Sequence, residues 1–155
     1  MTAGTPTIHA SAVLVGAKAV LIRGPAGSGK SRLAWDLVQA AGPSTKFGAL
    51  PFARLVADDR VHVEACAGQL LVRPAPALAG LIEIHGLGIR RLAFEPVAAV
   101  ALVVDLAADD AARLPGHKAA MATIAGVTLP RLAVAAGMAA LPLLLASLNT
   151  APASN

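Results

Sequence analysis

Aromatic residues and charged runs are scarce in this 155-residue chain. It contains three Phe, one Trp and no Tyr, so its core must be built from Val, Leu, Ile and Ala. The net charge is +4, but the basic residues are spread along the chain and form no run. Because aromatic platforms for bases are also few, we predict no nucleic-acid binding. We interpret the positive charge as an aid in binding phosphate or an acidic partner.

Cysteine is nearly absent as well. The single residue, Cys66, excludes an internal disulfide and leaves no second cysteine for a metal site. Between two alanines, it is predicted to be a small buried hydrophobe. The lack of disulfides is typical of a reducing compartment, so we predict a cytoplasmic location. The first seven residues also lack the charged start and the apolar block of a signal peptide.

Apolar runs long enough to span a membrane are missing too. The longest candidate, residues 132–148, contains Gly137 and Pro142 and falls just short of the roughly 20 residues that a spanning helix needs. We therefore predict no membrane contact, and we predict a buried C-terminal helix that starts near Met138.

A glycine-rich stretch with the pattern G-x-x-x-x-G-K-S stands out near the start of the chain. An apolar run at 19–22 precedes it and predicts a strand, while apolar residues at helical spacing follow it over 33–38. This is the strand, loop and helix context that a phosphate-binding P-loop requires. Its backbone N–H groups can turn towards a phosphate, its lysine can reach the outer phosphates, and its serine hydroxyl can bind Mg²⁺. The predicted nucleotide-binding residues are Gly24, Pro25, Ala26, Gly27, Ser28, Gly29, Lys30 and Ser31.

The remaining pattern predicts a single α/β domain with a strand-rich sheet. The helix after the P-loop is expected to run to about Ala41 and to stop at Gly42 and Pro43. An apolar run that ends near Asp105 is expected to be a central, fully buried strand. A short helix should follow it, and Pro130 should separate the last two strands. The predicted strands are 8–15, 19–22, 54–57, 61–65, 69–73, 97–106, 120–127 and 131–135, with the short helix over 107–114.

The position of an acidic residue near such a loop decides which reaction the bound phosphate undergoes. Asp105 at the end of an apolar strand has the Walker-B pattern of ordinary P-loop NTPases, although it could instead cap the helix over 107–114. The alternative is the pair Asp58 and Asp59, with Glu83 further along the chain. Such acids could accept a hydroxyl proton and hold a metal, although the pair could also be an exposed turn.

Four segments, in this order, resemble the catalytic domain of HPr kinase/phosphorylase. They are Ile8-His9-Ala10-Ser11-Ala12-Val13, the P-loop, Leu55-Val56-Ala57-Asp58-Asp59-Arg60-Val61 and Leu81-Ile82-Glu83-Ile84-His85-Gly86-Leu87-Gly88-Ile89. The third and fourth segments are more specific to that family than the P-loop. The resemblance covers residues 7–148 as one domain and leaves 1–6 and 149–155 as flexible termini. The chain resembles the short, N-terminally truncated form of the family, and the family's usual N-terminal domain has no counterpart in it.

This resemblance implies an ATP- and Mg²⁺-dependent protein serine kinase that acts on the phosphocarrier HPr or on a nitrogen-branch paralogue. It assigns the catalytic base to Asp58, the phosphate clamp to Lys30, and metal binding to Ser31, Asp59 and Glu83. His9 matches a family histidine near the active site, although a histidine on a strand face also often has a plain packing role. The resemblance also implies a homohexamer.

Two departures from the family pattern affect these expectations. The fourth segment has His85 where the family usually has Arg. The basic C-terminal loop that contacts the protein substrate and supports dephosphorylation retains Arg131 alone as a plausible contact, which weakens the case for the reverse phosphorylase activity. If Asp105 were the acting acid, the chain would be an ordinary P-loop NTPase or a small-molecule kinase. A nucleotide sensor that transfers no phosphate is the third hypothesis.

Overall fold

The computed structural model describes residues 6–41 and 50–153. Eleven strands and two α-helices are defined within these ranges, together with one 3-10 helix, Pro76–Leu78. The helices are α1 (Lys30–Gln39) and α2 (Ala140–Asn149). The strands are β1 (Thr7–Ile8), β2 (Ser11–Val15), β3 (Lys18–Arg23), β4 (Ala53–Ala57), β5 (Val61–Cys66), β6 (Gln69–Pro74), β7 (Leu81–Ile84), β8 (Gly88–Arg91), β9 (Ala98–Leu106), β10 (Met121–Ile124) and β11 (Val127–Val134).

Strand β9 is the centre of a sheet that contains all the described strands except β7 and β8. The main order is β1-β5-β6-β9-β3-β2-β4. Strand β11 pairs with β10 through residues 127–130 and with β9 through residues 131–134. The pairs β3–β9 and β9–β11 are parallel, whereas the other pairs in this sheet are antiparallel. The carboxyl ends of β3, β9 and β11 therefore meet at one edge. The separate hairpin β7–β8 pairs Leu81–Ile84 with Gly88–Arg91.

The two faces of the sheet are covered by two apolar layers, and alternate residues of β3 enter each. Ile22 packs in the layer that includes α1 and α2, and Leu21 packs in the opposite layer with residues of β5 and β6. Both side chains are fully buried. Burial on both faces explains why β3 and β9 read as nearly continuous apolar runs rather than as alternating ones. It also gives the P-loop a rigid strand to follow.

The structure confirms the predicted hairpins, β2–β3 and β5–β6, and the central position of β9. Helix α1 ends at Gln39, and the predicted stop at Gly42 and Pro43 lies outside the described residues. The terminal helix α2 begins at Ala140, close to the expected start. Within the described part of the chain, no helix is long and apolar enough to cross a membrane.

Four predictions of local structure were wrong. The strand predicted over 8–15 is divided in two, because β1 pairs with β5 whereas β2 pairs with β3 and β4. Residues 107–114 form turns and bends rather than a helix, because the chain leaves β9 at Ala107 with a φ of 51°. Pro130 lies inside β11, and the actual turn is at Ala125 and Gly126, where both φ values are positive. Cys66 is exposed, because it ends β5 beside a tight hairpin turn.

We predict that Ile22→Ala lowers the free energy of unfolding by about 2–5 kcal/mol, because it leaves a cavity in a fully buried layer. The matched control is Ile89→Ala, since Ile89 is 64% exposed in β8 and its loss should cost within about 0.5 kcal/mol. Urea unfolding followed by circular dichroism measures both. Equal losses would contradict the burial of Ile22 in this layer.

Candidate active site

The P-loop connects the end of β3 to the first residue of α1, and two of its glycines are required by the geometry. Gly29 directly precedes the helix with a φ of 98°, a conformation that L side chains rarely adopt. A Cβ atom on Gly24 would lie 2.5 Å from the Oγ of Ser28 and 3.1 Å from the Cβ of Leu106. The chain therefore passes close to β9 before it turns into the helix.

The polar groups of the loop are arranged in a way that suits a phosphate. The Nζ of Lys30 donates hydrogen bonds to the carbonyl oxygens of Gly24 at 2.8 Å and Pro25 at 3.1 Å, so the ammonium lies over the loop. The Oγ of Ser28 is buried and has no hydrogen-bond partner among the described residues. The first turn of α1 also presents backbone N–H groups at the positive end of the helix. These donors fit the phosphates of a nucleotide.

The carboxylate of Asp58 joins the loop to three strands. Asp58 follows β4 and is 4% exposed. It accepts hydrogen bonds from the Oγ of Ser11 at 2.6 Å, from the Oγ of Ser31 at 2.8 Å and from the backbone N–H of Glu83 at 3.3 Å. Asp58 belongs to the third of the four segments that carry the family resemblance. Its carboxylate contacts Ser11 of the first segment, Ser31 of the P-loop and Glu83 of the fourth segment.

Asp59 has the opposite environment. Its φ of 70° turns the chain just after β4, so Asp58 is buried while Asp59 is exposed. Asp59 lies on the wall of a cleft of about 1150 Å³. The cleft is lined by predicted site residues and a few neighbours, which are His9, Ser11, Gly24, Ala26, Gly27, Gly29, Lys30, Ser31, Arg32, Trp35, Asp36, Asp59, Glu83, Ile84 and His85.

Most of the predicted site residues therefore surround one cleft. Pro25 and Ser28 belong to the loop but do not line the cleft, and Asp58 reaches it through the two serine hydroxyls that donate to its carboxylate. The part played by Ser11 was missed by the sequence analysis. The available signal was a hydroxyl in an otherwise apolar strand, because a buried polar side chain requires a partner.

The oxygen donors beside the P-loop suit a Mg²⁺ ion that is also bound by substrate phosphates. They do not form a complete site that would hold a metal ion by protein side chains alone. Within residues 6–41 and 50–153, no three His, Cys, Asp or Glu side chains converge on a metal-binding position. The cleft instead offers the Ser31 hydroxyl and the carboxylates of Asp59 and Glu83. Mg²⁺ is usually bound by one or two carboxylates together with substrate phosphates, so this set is compatible with it.

Asp105 and Arg131 belong to an ion-pair network rather than to the cleft. The Nε and Nη2 of Arg23 donate to the two oxygens of Asp105 at 2.8 and 2.9 Å, and the Nε of Arg131 also donates to Asp105. Arg131 makes further bonds to Asp110 at 2.8 and 3.0 Å and to the carbonyl oxygen of Ala119 at 2.9 Å. The network joins β3, β9 and β11 to the segment that follows β9.

This network corrects two expectations. Asp105 lies within β9 opposite Arg23, so it caps no helix, and its two oxygens are held by arginines rather than presented to a metal. The side chain of Arg131 is 13% exposed, so its guanidinium is not presented to a protein substrate. Burial raises the pKa of Asp105, but the hydrogen bonds and charges of Arg23 and Arg131 outweigh it and hold that pKa below its usual range.

Comparisons with known proteins agree with this geometry. The family model described as HPr Serine kinase C-terminal domain matches residues 2–140. The chain belongs to this family. The HPr kinase/phosphorylase of Limosilactobacillus reuteri (strain DSM 20016) is 34% identical over 139 residues, which cover 83% of this chain and 40% of the relative. The HPr kinase/phosphorylase of Exiguobacterium sp. (strain ATCC BAA-1283 / AT1b) is 44% identical over 71 residues, 45% of this chain and 19% of that protein.

A solved structure confirms the fold of this HPr kinase domain. The Hpr(Ser) kinase/phosphatase from Coxiella burnetii superposes with a TM-score of 0.70 at 26% identity, covering 92% of this chain and 93% of that one. The expected α/β architecture with a strand-rich sheet is thus confirmed. The chain spans about 40% of the length of the L. reuteri relative that it matches.

We predict that Asp105→Asn lowers the free energy of unfolding at pH 7 by about 1–3 kcal/mol, because charge-assisted hydrogen bonds to two arginines are lost. The folded-state pKa of Asp105 is depressed, so its stabilisation is fully present above about pH 4 and is lost as the pH falls through the folded-state pKa. Urea unfolding at several pH values should show the difference between wild type and variant shrinking below about pH 4.

The matched control for this prediction is Asp109→Asn, which removes an exposed carboxylate from the segment that follows β9. Its free energy of unfolding at pH 7 should stay within about 0.5 kcal/mol of the wild-type value. A difference for Asp105→Asn that stayed constant down to pH 2 would contradict the ion-pair account.

Proposed function

We propose that this domain is an ATP- and Mg²⁺-dependent protein serine kinase whose substrate is HPr or a nitrogen-branch paralogue. The observation that carries the proposal is the hydrogen bond between Ser31 of the P-loop and Asp58, which lies 27 residues further along the chain. It puts a carboxylate at the loop that would hold the phosphates. Relatives named HPr kinase/phosphorylase support the choice of substrate.

The predicted site residues of the cleft have separate roles in this proposal. ATP would supply the phosphoryl group, and Mg²⁺ bound in the cleft would supply charge neutralisation. Lys30 would clamp the outer phosphates, and Ser31, Asp59 and Glu83 would hold the metal. His9 lies on the wall of the cleft, where the substrate would enter. Positioning and charge neutralisation are what phosphoryl transfer needs most from a protein.

Asp58 takes the proton of the substrate serine while the serine oxygen bonds to the γ-phosphorus and ADP leaves. Because Asp58 is 4% exposed, Ser11 and Ser31 connect it with the cleft through their hydrogen bonds. Asp59 is one residue away and lines the cleft, so it is the alternative base in this proposal. The reverse reaction would use the same carboxylate in its protonated form, but Arg131 is not free to assist it.

The hairpin β7–β8 is the surface that we propose for contact with the protein substrate. It begins beside the cleft, which Glu83 and His85 line. Beyond them, Leu87 is 61% and Ile89 is 64% exposed, and Arg90 and Arg91 are exposed as well. Apolar and arginine side chains together are typical of protein interfaces. The homohexamer and the cytoplasmic location remain predictions.

We expect Asp58→Asn to lower the rate of phosphate transfer by at least about 100-fold, because the base is lost. Intact-mass analysis of HPr and of its paralogue, incubated with Mg²⁺ and ATP, measures the gain of one acid-stable phosphate on serine. Asp105→Asn is expected to keep most of the activity, whereas an NTPase that uses Asp105 would show the reverse.

Asp59→Asn completes this series. If it abolishes transfer while Asp58→Asn does not, the roles of the two acids are exchanged. Wild-type protein that binds ATP but phosphorylates neither carrier would contradict the kinase proposal and favour a nucleotide sensor. Thermal unfolding of each variant separates lost chemistry from lost structure.

We expect Ile89→Asp to raise the KM for HPr by about tenfold and to leave the KM for ATP unchanged, because it places a charge in the proposed contact surface. The matched control is Leu114→Asp, since Leu114 is 79% exposed outside the hairpin. An unchanged KM for HPr with Ile89→Asp would exclude the hairpin as the contact.

A further inference from the structure

A second cleft of about 540 Å³ lies on the other side of the P-loop. Gly27, Gly29, Arg32 and Asp36 line both this cleft and the catalytic one, so the loop and the first turns of α1 form their common border. The opposite wall is formed by the end of β9 and by residues 134–142, which run from the end of β11 into α2. Its volume lies within the range of about 300–1,000 Å³ that is usual for small-ligand pockets.

The lining of the second cleft is chemically different from that of the catalytic cleft. Apart from Ser28, Arg32 and Asp36, all of its described lining residues are apolar or glycine. Small side chains such as Ala135 and Ala136 leave the space open, and Met138 is 56% exposed at its wall. An apolar pocket with a few polar groups at one border suits a flat heterocycle that carries polar substituents.

The direction of phosphate transfer indicates which molecule would enter it. The acids Asp59 and Glu83 lie on the catalytic cleft, and Asp58 bonds to serines that line it, so the attacking hydroxyl must approach from there. Attacking and leaving oxygens lie in line on opposite sides of the transferred phosphorus. The leaving nucleotide therefore extends away from the catalytic cleft, towards the border that the two clefts share.

The sheet topology also indicates that a ligand binds in the second cleft. The parallel strands β3, β9 and β11 have their carboxyl ends at the second cleft, through the P-loop, Leu106 and Val134 respectively. In open α/β sheets, ligands bind outside the carboxyl ends of parallel strands. Arg32 can stack on a base plane, and the Asp36 carboxylate can accept hydrogen bonds from ribose hydroxyls.

We propose that the second cleft binds the nucleoside of the phosphoryl donor, with the base against residues 135–141 and the phosphates on the P-loop. This inference rests on the proposed kinase function, because that function supplies the nucleotide. It assigns a role to residues that lie outside the four segments that carry the family resemblance.

The test compares two ligands that share phosphates and differ in the nucleoside. A non-hydrolysable ATP analogue and inorganic tripolyphosphate, each with Mg²⁺, are titrated calorimetrically into the wild type and into Ala136→Trp. The indole should fill the cleft and weaken binding of the analogue by about tenfold or more, while binding of tripolyphosphate stays within about twofold. The matched control is Ala65→Trp, because Ala65 is exposed in β5 and lines neither cleft.

A second variant covers the case in which Ala136→Trp does not fold. Met138→Ser removes an exposed apolar side chain, so the fold should tolerate it, and binding of the analogue alone should weaken. Equal effects on both ligands, or no effect of either folded variant, would overturn the nucleoside cleft.

Failure of this inference is distinguishable from failure of the kinase proposal. If the wild type transfers phosphate to HPr and Ala136→Trp binds the analogue as the wild type does, the kinase proposal stands and the nucleoside cleft is rejected. If Ala136→Trp selectively loses analogue binding but the wild type transfers no phosphate to either carrier protein, the nucleoside cleft stands and the kinase proposal is rejected. A wild type that binds neither ligand would overturn both.

Discussion

The buried carboxylate of Asp58 is the interaction on which the site depends. A carboxylate that is 4% exposed is costly unless hydrogen bonds replace its water, and here Ser11, Ser31 and the N–H of Glu83 do so. Each donor comes from a different element, so one charge holds β2, α1 and β7 at the end of β4. The cleft keeps its shape because these elements cannot separate without leaving that charge unsatisfied.

The place of β3 in the sheet gives the P-loop two different sides. On one side lie the antiparallel strands β2 and β4, which bring Ser11 and the acids Asp58 and Asp59. On the other lie the parallel strands β9 and β11, which end at Leu106 and Val134 and are tied to β3 by the ion pairs of Asp105 with Arg23 and Arg131. The polar cleft and the apolar cleft follow from this arrangement. The ion-pair network therefore has a structural role. It holds β3, β9 and β11 together beside the P-loop and lies outside the catalytic cleft.

The sequence predicted the parts of the fold that depend on local chemistry. The P-loop, both hairpins and the buried strand β9 follow from glycine spacing, turns and apolar runs, and the structure has them. The predictions that failed concerned residues whose partners lie far away in the sequence. Asp105 was expected to cap a helix because the arginines that hold it lie 82 and 26 residues away in the chain. The same pairing removed Arg131 from the surface, and Ser11 gained its role only when β2 was placed beside β4.

Two adjacent acids differ because of one backbone angle. Asp59 has a φ of 70°, a left-handed conformation that aspartate adopts more readily than most residues but that still costs about 1–2 kcal/mol. Along a regular strand, Asp58 and Asp59 would simply face opposite sides of the sheet. The turn instead leaves Asp58 bonded to the serines of the site and puts Asp59 on the cleft wall. One carboxylate is thereby fixed by hydrogen bonds while its neighbour is open to a metal or a substrate, so the strained turn supports two distinct roles for two identical side chains.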